Sequence, residues 1–176
     1  LGFNSESIEL IGNELINEPY GWGEMFQNRD CSSMIRDFYL PFGLWLPRGS
    51  LNQINAGRSI SLEGLSNNEK ECLIKEKGIP FLTLVYLKGH IMLYVGNMNG
   101  KALMFHDIWG VTVSNGTGGV YKQIIGKSIV SSLTPGSELK IVGGSLLERV
   151  TSILVLGDRY INLNRPRPIQ KPNGQK

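Results

Sequence analysis

Apolar positions follow two different periods along this chain. In SESIELIGNELINEP, Ile8, Ile11, Leu15 and Ile16 recur at helical spacing until Pro19, so a first amphipathic helix is expected there. PYGWGEMFQNRD packs glycines, aromatics and turn formers together and reads as an ordered loop. CSSMIRDFYLPFG sets Met34, Ile35 and Phe38 on one face before Pro41 ends the pattern, which predicts a short buried helix with Cys31 in its first turn. Another short helix is expected around SLNQINAG. A further one follows Ser66 and Glu69, a capping box, and closes at Gly78 and Pro80. Beyond it, FLTLVYL, HIMLYVG, KALMFHDI, KIVGG and SILVLG are β-branched and aromatic runs that read as strands. Helices first and strands afterwards predict an α+β fold, an antiparallel sheet or small barrel with the helices on one side.

At 176 residues and 41% apolar content, the chain can bury one core and is too short for two. We expect one domain over residues 1–160 and a polar basic tail over 161–176. The formal charge of +3 is concentrated at that end. Arg165, Arg167, Lys171 and Lys176 have no acid among them, which leaves 14 bases against 15 acids in the rest. The body is nearly neutral, so a nucleic-acid partner is not expected. No run reaches the roughly 18 apolar residues of a membrane span, and no signal peptide opens the chain. The first residue is not Met, which reads as a mature or trimmed fragment.

Two cysteines make no disulfide scaffold, and no Cys-x-x-Cys suggests a structural zinc. Cys72 falls within the capped helix and reads as an inert, packed apolar residue. Cys31 differs. At a helix N-terminus, unpaired N–H groups and the positive dipole end lower a thiol pKa, and the same N–H groups suit an oxyanion. A buried core cysteine is the plainer alternative, so the histidines carry the decision.

His90 and His106 are the only two, and both fall in strand-like segments. An odd-length loop centred on Met98, or a three-residue loop ending at Gly100, puts both on one face of a hairpin. A two-residue Asn99-Gly100 turn, the stronger local signal, instead puts Asp107 on the face of His90. Either residue could hold a basic imidazole in one tautomer, as the third member of a Cys-His-polar set must. Cys31, His90 and His106 could alternatively bind zinc, but no His-Glu-x-x-His spacing supports a hydrolytic metal site. No cofactor or metal is expected.

These residues resemble the NlpC/P60 family of papain-like cell-wall cysteine peptidases. The matching motifs are Tyr20-Gly21-Trp22-Gly23, then Asp30-Cys31-Ser32, then Gly89-His90. PFGLWLPRGSLNQ and HDIWG are similar to the branch that carries bacterial Src-homology-three-like domains upstream. The likeness runs from about Ile8 to Gly157. Two departures are Ser33, where the family usually has Gly, and a long gap between His90 and His106.

The resemblance implies a papain-like NlpC-type fold with Cys31 as nucleophile, His90 as base and His106 as the residue orienting it. It implies that Tyr20 lies near the oxyanion and that Asp30 and Ser32 read a free L-alanine amine. Asp30 is also a natural helix N-cap. Of Trp22, Trp45 and Trp109, only Trp22 is expected to line the cleft, the other two reading as core. Arg48 fits either a substrate carboxylate or a structural salt bridge. The implied reaction is hydrolysis of peptidoglycan stem peptides at the γ-D-glutamyl–L-diamino acid bond, at the periplasm or cell surface, or in the cytoplasm if the protein recycles wall peptides. The rival expectations are a papain-like acyltransferase and a catalytically silent wall-binding module.

Overall fold

The computed structural model describes residues 1–136 and 139–156, so the basic tail lies outside the described residues. Helix α1 spans Ser5–Leu15, capped by the Asn4 side chain, and α2 spans Cys31–Tyr39. Short α3 (Ser50–Ile54), α4 (Asn67–Lys77) and a one-turn α5 (Leu146–Arg149) follow. The strands are β1 (Ser59–Ser61), β2 (Thr83–Leu87), β3 (His90–Met98), β4 (Lys101–Ser114), β5 (Val120–Ser132) and β6 (Ser152–Val155). All pair antiparallel in one sheet, in the order β1-β6-β2-β3-β4-β5. The sheet stays open, which decides between the two expected closures.

Alternation along the strands sends side chains to two separate cores. On one face Leu84, Ile91, Leu93, Phe105 and Leu154 pack under α1, α2 and α3 through Leu15, Ile35, Phe38 and Ile54. Each such buried side chain contributes roughly 1.5–3 kcal/mol. On the other face Val85, Met92, Tyr94, Met104 and Ile153 meet Ile74 of α4 and Leu146 and Leu147 of α5. Helices therefore cover both faces, where a single helical layer was expected.

Helix α4 also corrects the reading of Cys72, which is exposed while Lys70 and Glu71 beside it are buried. Lys70 Nζ donates to the carbonyls of Glu148 (2.7 Å) and Val150 (2.9 Å), and Glu71 Oε1 accepts from the Ala102 N–H at 3.0 Å. These hydrogen bonds outweigh the hydrophobicity of a thiol in choosing the buried face. KIVGG is not a strand. Ile141 forms an isolated bridge to Val113, and the Val142 N–H donates to Thr112 O. Strand β5 was not anticipated, because VYKQIIGKSIVSS alternates poorly and Gly126 interrupts it.

Two features of the β3–β4–β5 region position the site. The β3–β4 hairpin turns on Asn99 (φ 51°) and Gly100 (φ 79°), the two-residue connection that matches strand twist. Pairing runs Met98↔Lys101, Asn97↔Ala102 and Gly96↔Leu103, then shifts to Tyr94↔Met104 and Leu93↔Phe105. Val95 is the extra residue of a bulge. Farther along, a second bulge between Ile108 and Gly110 bends the β4–β5 hairpin. A Cβ at Gly110 would lie 2.3 Å from the Gln123 carbonyl oxygen, so only glycine permits this close approach.

Candidate active site

Asp30 fixes the start of α2. Its Oδ1 accepts from the N–H groups of Ser32 and Ser33, both at 3.1 Å, and Ser33 Oγ accepts from the Asp30 N–H at 2.8 Å, a reciprocal capping box. The residue that departs from the family pattern thus supplies half of the cap. Cys31, the first helical residue, keeps its own N–H outside the intrahelical ladder.

The thiol is buried, and its sulfur accepts hydrogen bonds from the N–H groups of Ile91 and Ser32. Burial pushes the thiol up to about 11, against those two bonds and with the help of the Asp30 and Asp107 charges. The lowered thiol pKa expected from the helix start is therefore reversed, because desolvation outweighs the helix-end effect.

His90 opens β3 and His106 lies within β4. His90 Nε2 and His106 Nδ1 are 2.9 Å apart, and His106 Nε2 is 2.9 Å from Ser131 Oγ on β5. The Val95 bulge brings the rings together. Past it, the Leu93↔Phe105 pairing puts His106 on the same face as Met92 and His90, despite the two-residue turn that alone would have presented Asp107.

The donors and acceptors fix the tautomers. Ser131 Oγ donates its one proton to the Ser132 carbonyl at 2.9 Å, so it accepts from His106 Nε2–H. His106 Nδ1 then accepts from His90 Nε2–H, which leaves the lone pair of His90 on Nδ1. Burial lowers His90 to about 4, with the Arg149 charge adding to the effect. Burial and then the neighbouring imidazole hold His106 well below the usual histidine range. Both rings are neutral at neutral pH. Ser131, absent from the sequence expectations, carries no motif, and its strand was not anticipated.

Asp107 points to the opposite face. It is fully buried, and its carboxylate oxygens have no hydrogen-bond partner among the described residues. Burial and then the Asp30 charge raise it to about 7. The imidazoles face each other, and among the described residues no three His, Cys, Asp or Glu side chains form a group that could hold a metal ion.

Tyr20 is carried by a segment stitched to β5. The Asn17 N–H donates to Ser128 O, and the Tyr20 N–H to Gly126 O. Gly21 follows where a Cβ would sit 2.5 Å from the Met25 carbonyl oxygen. Burial, and next the Cys31 charge, raise the Tyr20 phenol, so it is protonated at neutral pH and able to donate. Its ring meets Trp109, with centroids 6.0 Å apart. Trp22 and Trp109 line a cavity of about 500 Å³ with Tyr20, Met25, Phe26 and Lys122. All three tryptophans are exposed, at 73% for Trp22, 68% for Trp45 and 48% for Trp109, which corrects the core reading of the latter two.

Asp30 and Ser32 are occupied. Asp30 Oδ2 accepts from Arg48 Nη2 at 2.6 Å and from the Gly23 N–H at 3.2 Å, and Arg48 Nη1 bonds Ser32 Oγ. Burial alone would raise the Asp30 carboxyl, but Arg48 and the cap N–H groups hold it below its ordinary value. Arg48 Nε also reaches Glu24 at 3.0 Å, so Arg48 is a structural hub at this corner.

Among solved structures, an NlpC/P60 endopeptidase from Photobacterium damselae subsp. piscicida is 30% identical to this chain, with a TM-score of 0.74, over 85% of this chain and 38% of its own length. An NlpC/P60 family protein from Bacillus cereus is 18% identical, with a TM-score of 0.52, over 89% of this chain and 41% of its own length. The chain thus spans well under two thirds of either protein. No curated protein matches it. No helix among the described residues is long and apolar enough to cross a membrane. The family model for NlpC/P60 matches residues 17–129, which include Tyr20, Cys31, His90 and His106. The chain belongs to the NlpC/P60 family.

Proposed function

We propose that this chain is a cysteine endopeptidase that hydrolyses peptidoglycan stem peptides at the γ-D-glutamyl–L-diamino acid bond, with Cys31, His90 and His106 as its triad. The observation that carries the reading is the directed chain Ser132 C=O, Ser131, His106, His90, which leaves a basic Nδ1 on the residue next to Ile91, whose N–H touches the thiol.

Thiol and imidazole both start neutral. As Sγ forms its bond to the glutamyl γ-carbonyl carbon, the thiol proton passes to His90 Nδ1 and the carbonyl electrons move to oxygen. The Cys31 N–H and the Tyr20 hydroxyl stabilise that oxyanion. Collapse breaks the C–N bond, and His90 returns its proton to the leaving amine. Water then attacks the thioester, giving its proton to His90, and the thiol is regenerated when the second tetrahedral species breaks. His106 keeps the imidazole in the reactive tautomer throughout, with Ser131 behind it.

Trp22 lines the acyl side of the cleft. Asp30 and Ser32 shape the corner that would receive a free L-alanine amine, an ammonium that has to share Asp30 with Arg48. The resulting location is the periplasm or cell surface, or the cytoplasm if released wall peptides are the substrate. Mass spectrometry of defined stem peptides, with free or sugar-linked L-alanine, tests the reading. Cleavage after γ-D-glutamate by the native chain, abolished in Cys31→Ala, is the expected result. Intact peptides in the presence of folded native protein would sink it in favour of acyl transfer or wall binding.

A further inference from the structure

Resting on that reading, we infer that Asp107 is a positioning residue for the nucleophile. Its buried carboxyl stands beside Cys31 and Tyr20 as a neutral acid, and the site stops working when that acid gives up its proton.

Register and alternation bring Asp107 to the thiol. The β3–β4 pairing that ends at Leu93↔Phe105 would, if continued, set Asp107 across from Ile91, the residue whose N–H touches the Cys31 sulfur. Asp107 lies on the same face of β4 as Phe105, which packs in one core with Cys31 and Ile91. Its partner on β5 is Ser128, on that face as well. The one hydroxyl proton of Ser128 goes to the Leu15 carbonyl, so it is not free for the carboxyl. The Ser128 backbone bonds Asn17 and Glu18, and the segment that carries Tyr20 thus runs beside the same position.

A carboxyl with no exposed area and no hydrogen-bond partner among the described residues keeps its proton, because burying an unpaired charge costs far more than burying the acid. The groups around it act in the same sense. After burial itself, Asp30 of the α2 cap and Glu18 of the adjoining segment oppose ionisation, while the neighbouring cation, Arg29, is already ion-paired with Asp37 at 2.8 Å. Once ionised, Asp107 adds to the burial that raises the Cys31 thiol and the Tyr20 phenol, for its charge is felt at both. During attack, negative charge grows on Sγ and then on the carbonyl oxygen that Tyr20 stabilises. A carboxylate beside them opposes both steps. The charges felt at His90 are those of Arg149 and Asp30, so ionised Asp107 burdens the anion without a matching gain at the imidazolium.

The test follows pH with and without the acid, in a Cys72→Ser background and well below the melting temperature of each protein, so that a lost rate is not a lost fold. An acid that ionises at about 7 leaves about a tenth of itself neutral one unit higher. Between pH 6 and pH 8, kcat/KM for stem-peptide hydrolysis should therefore fall about tenfold with Asp107 in place and hold level in Asp107→Asn. Iodoacetamide alkylation of Cys31 needs no substrate. Its rate climbs with pH in both proteins, and the ratio of Asp107→Asn to the unsubstituted position should be close to one at pH 6 and about threefold at pH 8. Carbon-13 NMR, which needs no variant, should show the Asp107 carboxyl titrating near neutrality. An alkaline limb shared by both proteins, an alkylation ratio that stays at one, or a carboxyl that titrates in the ordinary carboxylate range overturns the inference. If no stem peptide is cut at any pH, the proposed function fails, and the alkylation ratio alone upholds or overturns the role of Asp107.

Discussion

The Ile91 N–H points at the Cys31 sulfur, in the notch where the β3–β4 register ends at Leu93↔Phe105. An amide that would otherwise continue a sheet ladder serves the thiol. It does not overcome desolvation, so the resting thiol stays protonated, at about 11, beside an imidazole at about 4. With Cys72→Ser removing the exposed thiol, iodoacetamide alkylation of Cys31 should climb continuously from neutral pH into the alkaline range. A plateau already reached near pH 6, the signature of a standing thiolate–imidazolium pair, would contradict this assignment.

Ser131 determines which nitrogen of His106 carries the proton, and through it which nitrogen of His90 is basic. Ser131→Ala should lower kcat about tenfold with little change in KM, and should displace the acid limb of the kcat/KM profile. Ser131→Thr, which keeps the hydroxyl, should recover most of the loss. Equal kcat in Ala and Thr variants would remove Ser131 from the positioning chain.

Asp107 makes stability depend on pH in a definite direction. Its folded value, raised to about 7 from 3.8, means that its contribution is intact below the ordinary carboxylate range and is lost as pH rises through 7. Asp107→Asn should therefore raise Tm more at pH 8 than at pH 5, with an upper bound of about 4 kcal/mol for a shift of this size. A gain independent of pH would show that the carboxyl is already solvated or paired.

Arg48 sits where an incoming ammonium would need Asp30. The native chain should discriminate less than ~3-fold between free and acylated L-alanine stems, since the carboxylate is already matched. Arg48→Met should lower KM for the free-amine peptide selectively, at a cost in stability of roughly 1–3 kcal/mol for unpairing a buried carboxylate. Strong amine preference in the native chain would show that Arg48 yields its place to substrate.

What could be read in advance was whatever local chemistry decides. The Asp30 and Ser66 caps and the Pro41 stop each depend on a few neighbouring residues and are found where expected, and the Asn99-Gly100 turn, the stronger local signal among the connections left open, is the one adopted. Long-range partners decided the rest. Cys72 turned outward because Lys70 and Glu71 had carbonyl and amide partners distant in sequence. Trp45 and Trp109 lie outside the core, which tryptophan's general preference for burial does not foretell. The site was legible as a set of residue types, Cys31 with two histidines. The choice of His106 over Asp107, and the presence of Ser131, depended on strand register and on a strand with no clear alternation.

The bulge at Val95 works as a parity switch. Adjacent positions on β4 present an imidazole to one side of the sheet and a carboxylic acid to the other, and the count of residues between turn and bulge selects which of them His90 meets. One residue more or fewer in that stretch would exchange a neutral acceptor for an acid, and with it the charge balance around His90, while leaving Cys31, His90 and His106 in the chain. For such a hairpin, a single inserted or deleted residue is a larger chemical event than most substitutions at the site itself.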